Sequence, residues 1–108
     1  MTPTTAEKRA RFAELHRAPG CFVMPNPFDV GSAKLLASLG FPALASTSAG
    51  MAFAAGLADG AVTRAYALKH IGELAGGTGL PLNADFEAGF ARDPEGVRRA
   101  LGDKLSPA

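Results

Sequence analysis

Three oxygen-bearing side chains stand at alternate positions in Asn83-Ala84-Asp85-Phe86-Glu87. Successive side chains of an extended chain point to opposite faces, so Asn83, Asp85 and Glu87 would share one face. Such a donor set suits Mg²⁺ better than zinc or iron. The same alternation equally describes a strand end turning into solvent, with Asp85 capping a backbone amide. Ser46-Thr47-Ser48-Ala49-Gly50 has small side chains, approachable N–H groups and hydroxyls, which an anion can use. It also has the composition of an ordinary tight βα turn, the commoner origin of such a string. Asp59, within Gly56-Leu57-Ala58-Asp59-Gly60, has the surroundings of a turn residue. His16 and His70 are far apart, which argues against a His-rich metal site. His70 reads as solvent-facing or at the edge of a core. The single cysteine, Cys21, excludes an internal disulfide framework and a zinc site of the usual cysteine type.

These groups need elements to carry them. Thr4 with Glu7 has capping-box spacing, which predicts a helix over residues 5–17. Its thin apolar stripe (Ala10, Phe12, Leu15, Ala18) predicts a surface position, with Lys8, Arg9 and Arg11 on a solvated face. Cys21-Phe22-Val23-Met24 is a continuous apolar run, the pattern of a strand buried on both faces, with Cys21 as a small hydrophobe. Asp29 then caps a helix over 30–39, closed by Gly40 and Pro42. Ala43 to Thr47 predicts a second strand, and Arg64 to Ala75 a helix stopped by Gly76-Gly77. Arg64 and Tyr66 read as helix-surface residues. Leu80 to Asp85 predicts a third strand with Pro81 at its start. Asp93-Pro94-Glu95 is a helix start, with an acid at the cap and proline in the first turn, for a short helix over 94–101.

The order is a helix followed by three βα units, over 21–40, 43–77 and 80–101. Alternating buried strands and helices imply a parallel α/β sheet, and the spacing brackets the ~30 residues per unit of an eight-fold barrel. Three units cannot close a barrel, so the expected fold is a partial (β/α)₈ domain. In such architecture functional groups gather at the C-terminal ends of the strands. Residues 25–29, 46–50 and 83–90 fall there.

The chain has 108 residues, 47% hydrophobic and 19% charged, with a net charge of +1. This is a globular composition. The near-neutral balance argues against a nucleic-acid binder, and no apolar run reaches the ~18–20 residues of a membrane span. Met1-Thr2-Pro3-Thr4 lacks a secretory pattern, so a cytoplasmic location is expected.

Three strings carry a resemblance. They are Met24-Pro25-Asn26-Pro27-Phe28-Asp29-Val30-Gly31-Ser32-Ala33; Thr47-Ser48-Ala49-Gly50 followed by Gly56 to Gly60; and Asn83 to Phe90 followed by Asp93-Pro94-Glu95-Gly96. In this order and spacing, from about Phe12 to Val97, the chain resembles the phosphoenolpyruvate mutase/isocitrate lyase superfamily, in particular its bacterial phosphonomutase-like subgroup. The resemblance implies a Mg²⁺-dependent (β/α)₈-barrel enzyme of mutase or lyase type. Such an enzyme makes or breaks C–C or P–C bonds of 2-oxo acids or phosphonates through an enolate-type intermediate, and its full-length relatives are homo-oligomeric. It implies that Thr47, Ser48, Ala49 and Gly50 cradle the substrate and that Asp85 is the central metal-site acid. Asp59 would be a catalytic acid on a mobile loop near the metal, and Asn26 and Asp29 would belong to the first turn. Asn83 stands where the family has the first acid of its Asp-x-Asp pattern, so it offers a neutral oxygen, and Glu87 would make up the charge. Residues 98–108 depart from the family pattern and lack its next buried strand. A truncated or frameshifted product is therefore expected, inactive by itself, with a non-catalytic remnant that binds anions weakly or self-associates as the alternative.

Overall fold

The computed structural model describes residues 2–105. Helix α1 spans Thr5–Arg17, α2 Val30–Ser38, α3 Ser48–Ala54, α4 Arg64–Gly77 and α5 Pro94–Leu105; β1 is Leu44–Ala45 and β2 Leu82–Asn83. The two strands pair in parallel, Leu44 beside Leu82 and Ala45 beside Asn83. The arrangement is a parallel α/β one, with helices connecting the two strands.

Helix starts follow local chemistry. Thr4 and Glu7 form the reciprocal capping box of α1, and Asp29 caps α2 through the Ser32 N–H at 2.7 Å. Asp93 accepts from the Gly96 N–H at the start of α5. That helix continues past the expected end at Leu101, through Gly102, to Leu105.

Helix α4 is the spine of the fold. Its Leu74 packs with Ala33 of α2 and Leu44 of β1. Its Ala67 and Ile71 pack with Met51 and Ala52 of α3, Phe86, and Ala100 of α5. Leu82 touches both clusters. Fully burying a side chain such as Leu74 contributes about 1.5–3 kcal/mol, so α4 is held from both ends. It runs through Gly76 and Gly77, where a stop was expected. A Cβ at Gly77 would lie 3.0 Å from Val30 Cγ1, so this glycine serves the close approach of α2 and α4. Lys8 takes over the C-terminal role, donating to the carbonyls of Ala75 and Thr78. It is half-buried there, not on the solvated face assigned to it, and burial pulls its ammonium below the ordinary lysine value. Arg64 is also no plain surface residue. Its guanidinium donates twice to the Ala100 carbonyl and ties α5 to the first turn of α4.

Two further expectations fail. Residues 21–24 are not a strand. Cys21 is exposed and Val23 is 61% exposed. Just beyond them, one main-chain bond, Ala45 N–H to the Pro25 carbonyl, reaches β1. An apolar run supplies burial potential, but pairing needs a neighbour in register. Second, residues 48–54 are helical, although their small residues read as a loop. Thr47 Oγ1 caps this helix by accepting from the Gly50 N–H at 3.1 Å.

Candidate functional site

Helix α3 starts three residues after β1 ends, and Asp85 lies two residues after β2 ends. The parallel pairing sets these two turns side by side. Asp85 Oδ2 accepts from the Ser48 N–H at 3.1 Å, across 37 residues of chain. Its Oδ1 accepts from the Glu87 N–H at 3.0 Å, closing a turn of the kind aspartate side chains make. Partial burial pushes the Asp85 carboxyl up, but the N–H groups of Ser48 and Glu87 outweigh that and hold it below the ordinary carboxylate value. Asp85 is therefore ionised at neutral pH, with both oxygens oriented and each retaining acceptor capacity.

The small-residue string is more committed to structure than a free cradle would be. The Ser48 N–H is taken by Asp85 and the Gly50 N–H by Thr47. A Cβ on Gly50 would lie 2.6 Å from the Thr47 methyl, so glycine here is what lets Thr47 reach its capping position. Ala49 is exposed in the first turn of α3.

The structure brings Ser48 and Asp85 together and separates other candidates. Glu87 has φ 53°, a left-handed conformation that ends the extended alternation. Asn83, Asp85 and Glu87 therefore do not form one continuous strand face. Asn83 and Glu87 are exposed. Asp59 is exposed in the turn between α3 and α4 and makes no side-chain hydrogen bond among the described residues. Asn26 donates to the Ala45 carbonyl at 2.8 Å, tying the first turn to β1. His70 is half-buried at the edge of the core. Burial lowers its basicity, and its Nε2 has no partner among the described residues.

The role of one residue in this site escaped the sequence reading, which named it only as part of the small-residue string. Ser46, 6% exposed, is the buried polar side chain at the end of β1. Its Oγ accepts from the Asp85 N–H at 2.8 Å. A serine in a string of small residues carries no sign of such a contact.

Parallel strands with an anchored carboxylate at their C-terminal ends are what a segment of a (β/α)₈ barrel presents, and open parallel sheets present the same. The chain belongs to the phosphoenolpyruvate phosphomutase family, whose model matches residues 12–105, eight residues beyond Val97, where the resemblance was expected to end. A Burkholderia cenocepacia protein assigned as a lyase/mutase is 47% identical and superposes with a TM-score of 0.86, over 89% of this chain and 35% of its own. A second Burkholderia cenocepacia protein, assigned as a phosphonomutase, is 36% identical with a TM-score of 0.82, over 88% of this chain and 39% of its own. The 2,3-dimethylmalate lyase of the PEP mutase/isocitrate lyase superfamily is 30% identical with a TM-score of 0.76, over 92% and 35%. The chain thus spans little more than a third of the length of these structures. Among curated proteins none matches it.

Members of the superfamily are generally Mg²⁺-dependent. Among the described residues no three His, Cys, Asp or Glu side chains cluster as a metal site. Mg²⁺, however, keeps several waters and commonly takes one or two carboxylates from a protein. An ionised, doubly anchored Asp85 fits that role.

Proposed function

We propose that this chain supplies the first part of a Mg²⁺-dependent site that makes or breaks C–C or P–C bonds of a small 2-oxo acid or phosphonate. The observation that supports this most is the Asp85 carboxylate, held by N–H groups from two βα turns at the C-terminal ends of paired strands. Asp85 would hold the ion, with Asn83 and Glu87 as neighbouring oxygen donors. When bound, Mg²⁺ would polarise a 2-oxo carbonyl and favour enolate-type chemistry. Of Thr47, Ser48, Ala49 and Gly50, the Ala49 N–H and the Thr47 and Ser48 hydroxyls would orient the substrate's anionic group, since the Ser48 and Gly50 N–H groups are already bonded to Asp85 and Thr47. Asp59 would approach on a loop and act on a proton there. No helix among the described residues is long and apolar enough to cross a membrane. A cytoplasmic setting, homo-oligomers of the complete barrel, and no nucleic-acid or membrane partner complete the reading.

The test joins residues 1–108 to the remaining barrel of the 47%-identical relative. Oxaloacetate, phosphonopyruvate and 2-methylisocitrate are then assayed for pyruvate or phosphate release. Mg²⁺-dependent turnover that Asp85→Ala abolishes is expected, with none from residues 1–108 alone. Turnover of the joined protein that survives Asp85→Ala would remove the assignment.

A second reading, non-catalytic self-association, is favoured by exposed apolar side chains: Phe53 at 86%, Leu39 at 66% and Leu35 at 60%. Sedimentation equilibrium of residues 1–108 checks it, and a strict monomer at high concentration counts against it.

A further inference from the structure

The register of β1 and β2 makes a specific demand that Ser46 alters. In a parallel ladder the bonds are evenly spaced. Here Leu44 N–H donates to the Pro81 carbonyl and Ser46 N–H to the Asn83 carbonyl. The next rung of that pattern would take the Asp85 N–H to the Ser46 carbonyl. The Ser46 hydroxyl takes it instead, at 2.8 Å. The ladder therefore closes on a side chain, and the backbone of Asp85 is drawn off the strand line where the chain turns toward the left-handed Glu87. Ser46 is bonded on both sides of this junction, by its own N–H to Asn83 and by its Oγ to Asp85, and it is 6% exposed. A buried hydroxyl in that position cannot be exchanged for water without opening the two turns.

We propose that Ser46 is the positioning residue for the Asp85 carboxylate. By holding the Asp85 backbone N–H it sets where Oδ2 meets the Ser48 N–H and where the remaining lone pairs of both oxygens point. This rests on the reading of Asp85 as a Mg²⁺ ligand, and it adds a residue that touches neither metal nor substrate. Partners that orient a metal ligand from behind commonly change metal affinity about 10–100-fold when removed.

The experiment compares the parent chain with Ser46→Ala, Ser46→Thr and Ile71→Val. The last loosens the apolar packing beneath α3 and Phe86 while leaving every hydrogen bond of the two turns in place. Amide hydrogen exchange is followed by NMR without metal, and Mg²⁺ affinity by calorimetry. Ser46→Ala is expected to speed exchange at Ser48 as well as at Asp85, because the carboxylate loses its place, and to weaken Mg²⁺ about 10-fold. Ser46→Thr, which keeps the hydroxyl, should restore both, and Ile71→Val should change neither. Faster exchange at Asp85 with Ser48 unchanged would show a purely local bond and overturn the positioning role. Failure of the parent to bind Mg²⁺ would overturn the reading of Asp85 itself, a separate result from the exchange pattern.

Discussion

Two aspartates stand in the connections that lead to α2 and α5, and they are held in different ways. Asp29 receives its bonds from Ser32, three residues away: the Ser32 N–H donates to Oδ1 at 2.7 Å, and Ser32 Oγ accepts from the Asp29 N–H. Asp85 receives one bond from Glu87, two residues on, but its others come from Ser48 and Ser46, 37 and 39 residues away. Asp29 is a helix cap that any isolated turn could build. Asp85 exists in its geometry only because β1 and β2 are paired. The difference follows the strands. The run before Asp29 has no ladder of its own, whereas Asp85 follows directly on one. A carboxylate held across the fold can be aimed at a ligand independently of its own turn; a local cap is already spent on its helix.

The contrast is sharpest in metal binding. Asp85→Ala should abolish calorimetric Mg²⁺ binding, and Asn83→Ala should weaken it less, because a neutral amide gives Mg²⁺ less than a carboxylate does. Asp29→Ala should leave it unchanged. Equal effects of the Asp29 and Asp85 variants would erase the distinction.

Stability should show the same contrast between the two apolar runs. Leu44, 1% exposed, should cost about 2–5 kcal/mol when replaced by Ala. Val23, 61% exposed, should cost no more than about 0.5 kcal/mol on the same change. Urea midpoints measure both. A large loss at Val23 would mean that residues 21–24 are held as a buried strand after all.

Most of the helices are legible in the sequence because their signals are local. Thr4 with Glu7, Asp29 before Val30, and Asp93-Pro94 each fix a helix start within one turn. Helix α3 was not legible, since Ser48, Ala49 and Gly50 are poor advertisements for a helix. What makes them one is the Thr47 cap, room beside Gly50, and the burial of Met51 and Ala52. The strands were over-read for the opposite reason: hydrophobicity is visible in a sequence and a pairing partner is not. In the candidate site, Asp85 was visible from its alternation and from family resemblance. Its two sequence readings, metal ligand and amide cap, turn out to be compatible, since the amide bonds leave acceptor capacity free. The role of Ser46 was invisible because it depends on register. The left-handed conformations of Glu87 and Phe90, at φ 53° and 57°, carried no glycine to announce them.

The smallest expected effect is on acid stability. The Ser32 N–H and hydroxyl hold the Asp29 carboxyl below its ordinary value. A depressed folded-state value contributes stability above the unfolded value, near pH 4, and loses it as pH falls through the folded value. Asp29→Asn keeps an acceptor at the cap and removes this titration. Its urea midpoint should therefore fall less than the parent's on going from pH 6 to pH 3. Parallel losses in the two proteins would place the acid sensitivity elsewhere.

The central claim is that Asp85, and not Asp29, is the ligating carboxylate. A Mg²⁺ titration followed by two-dimensional amide NMR of the 108-residue chain tests it most directly. Saturable shifts at Ser48, Asp85 and Glu87, with Asp29 and Ser32 unmoved, are predicted. Shifts confined to Asp29 and Ser32, or none at any of the five, would contradict it.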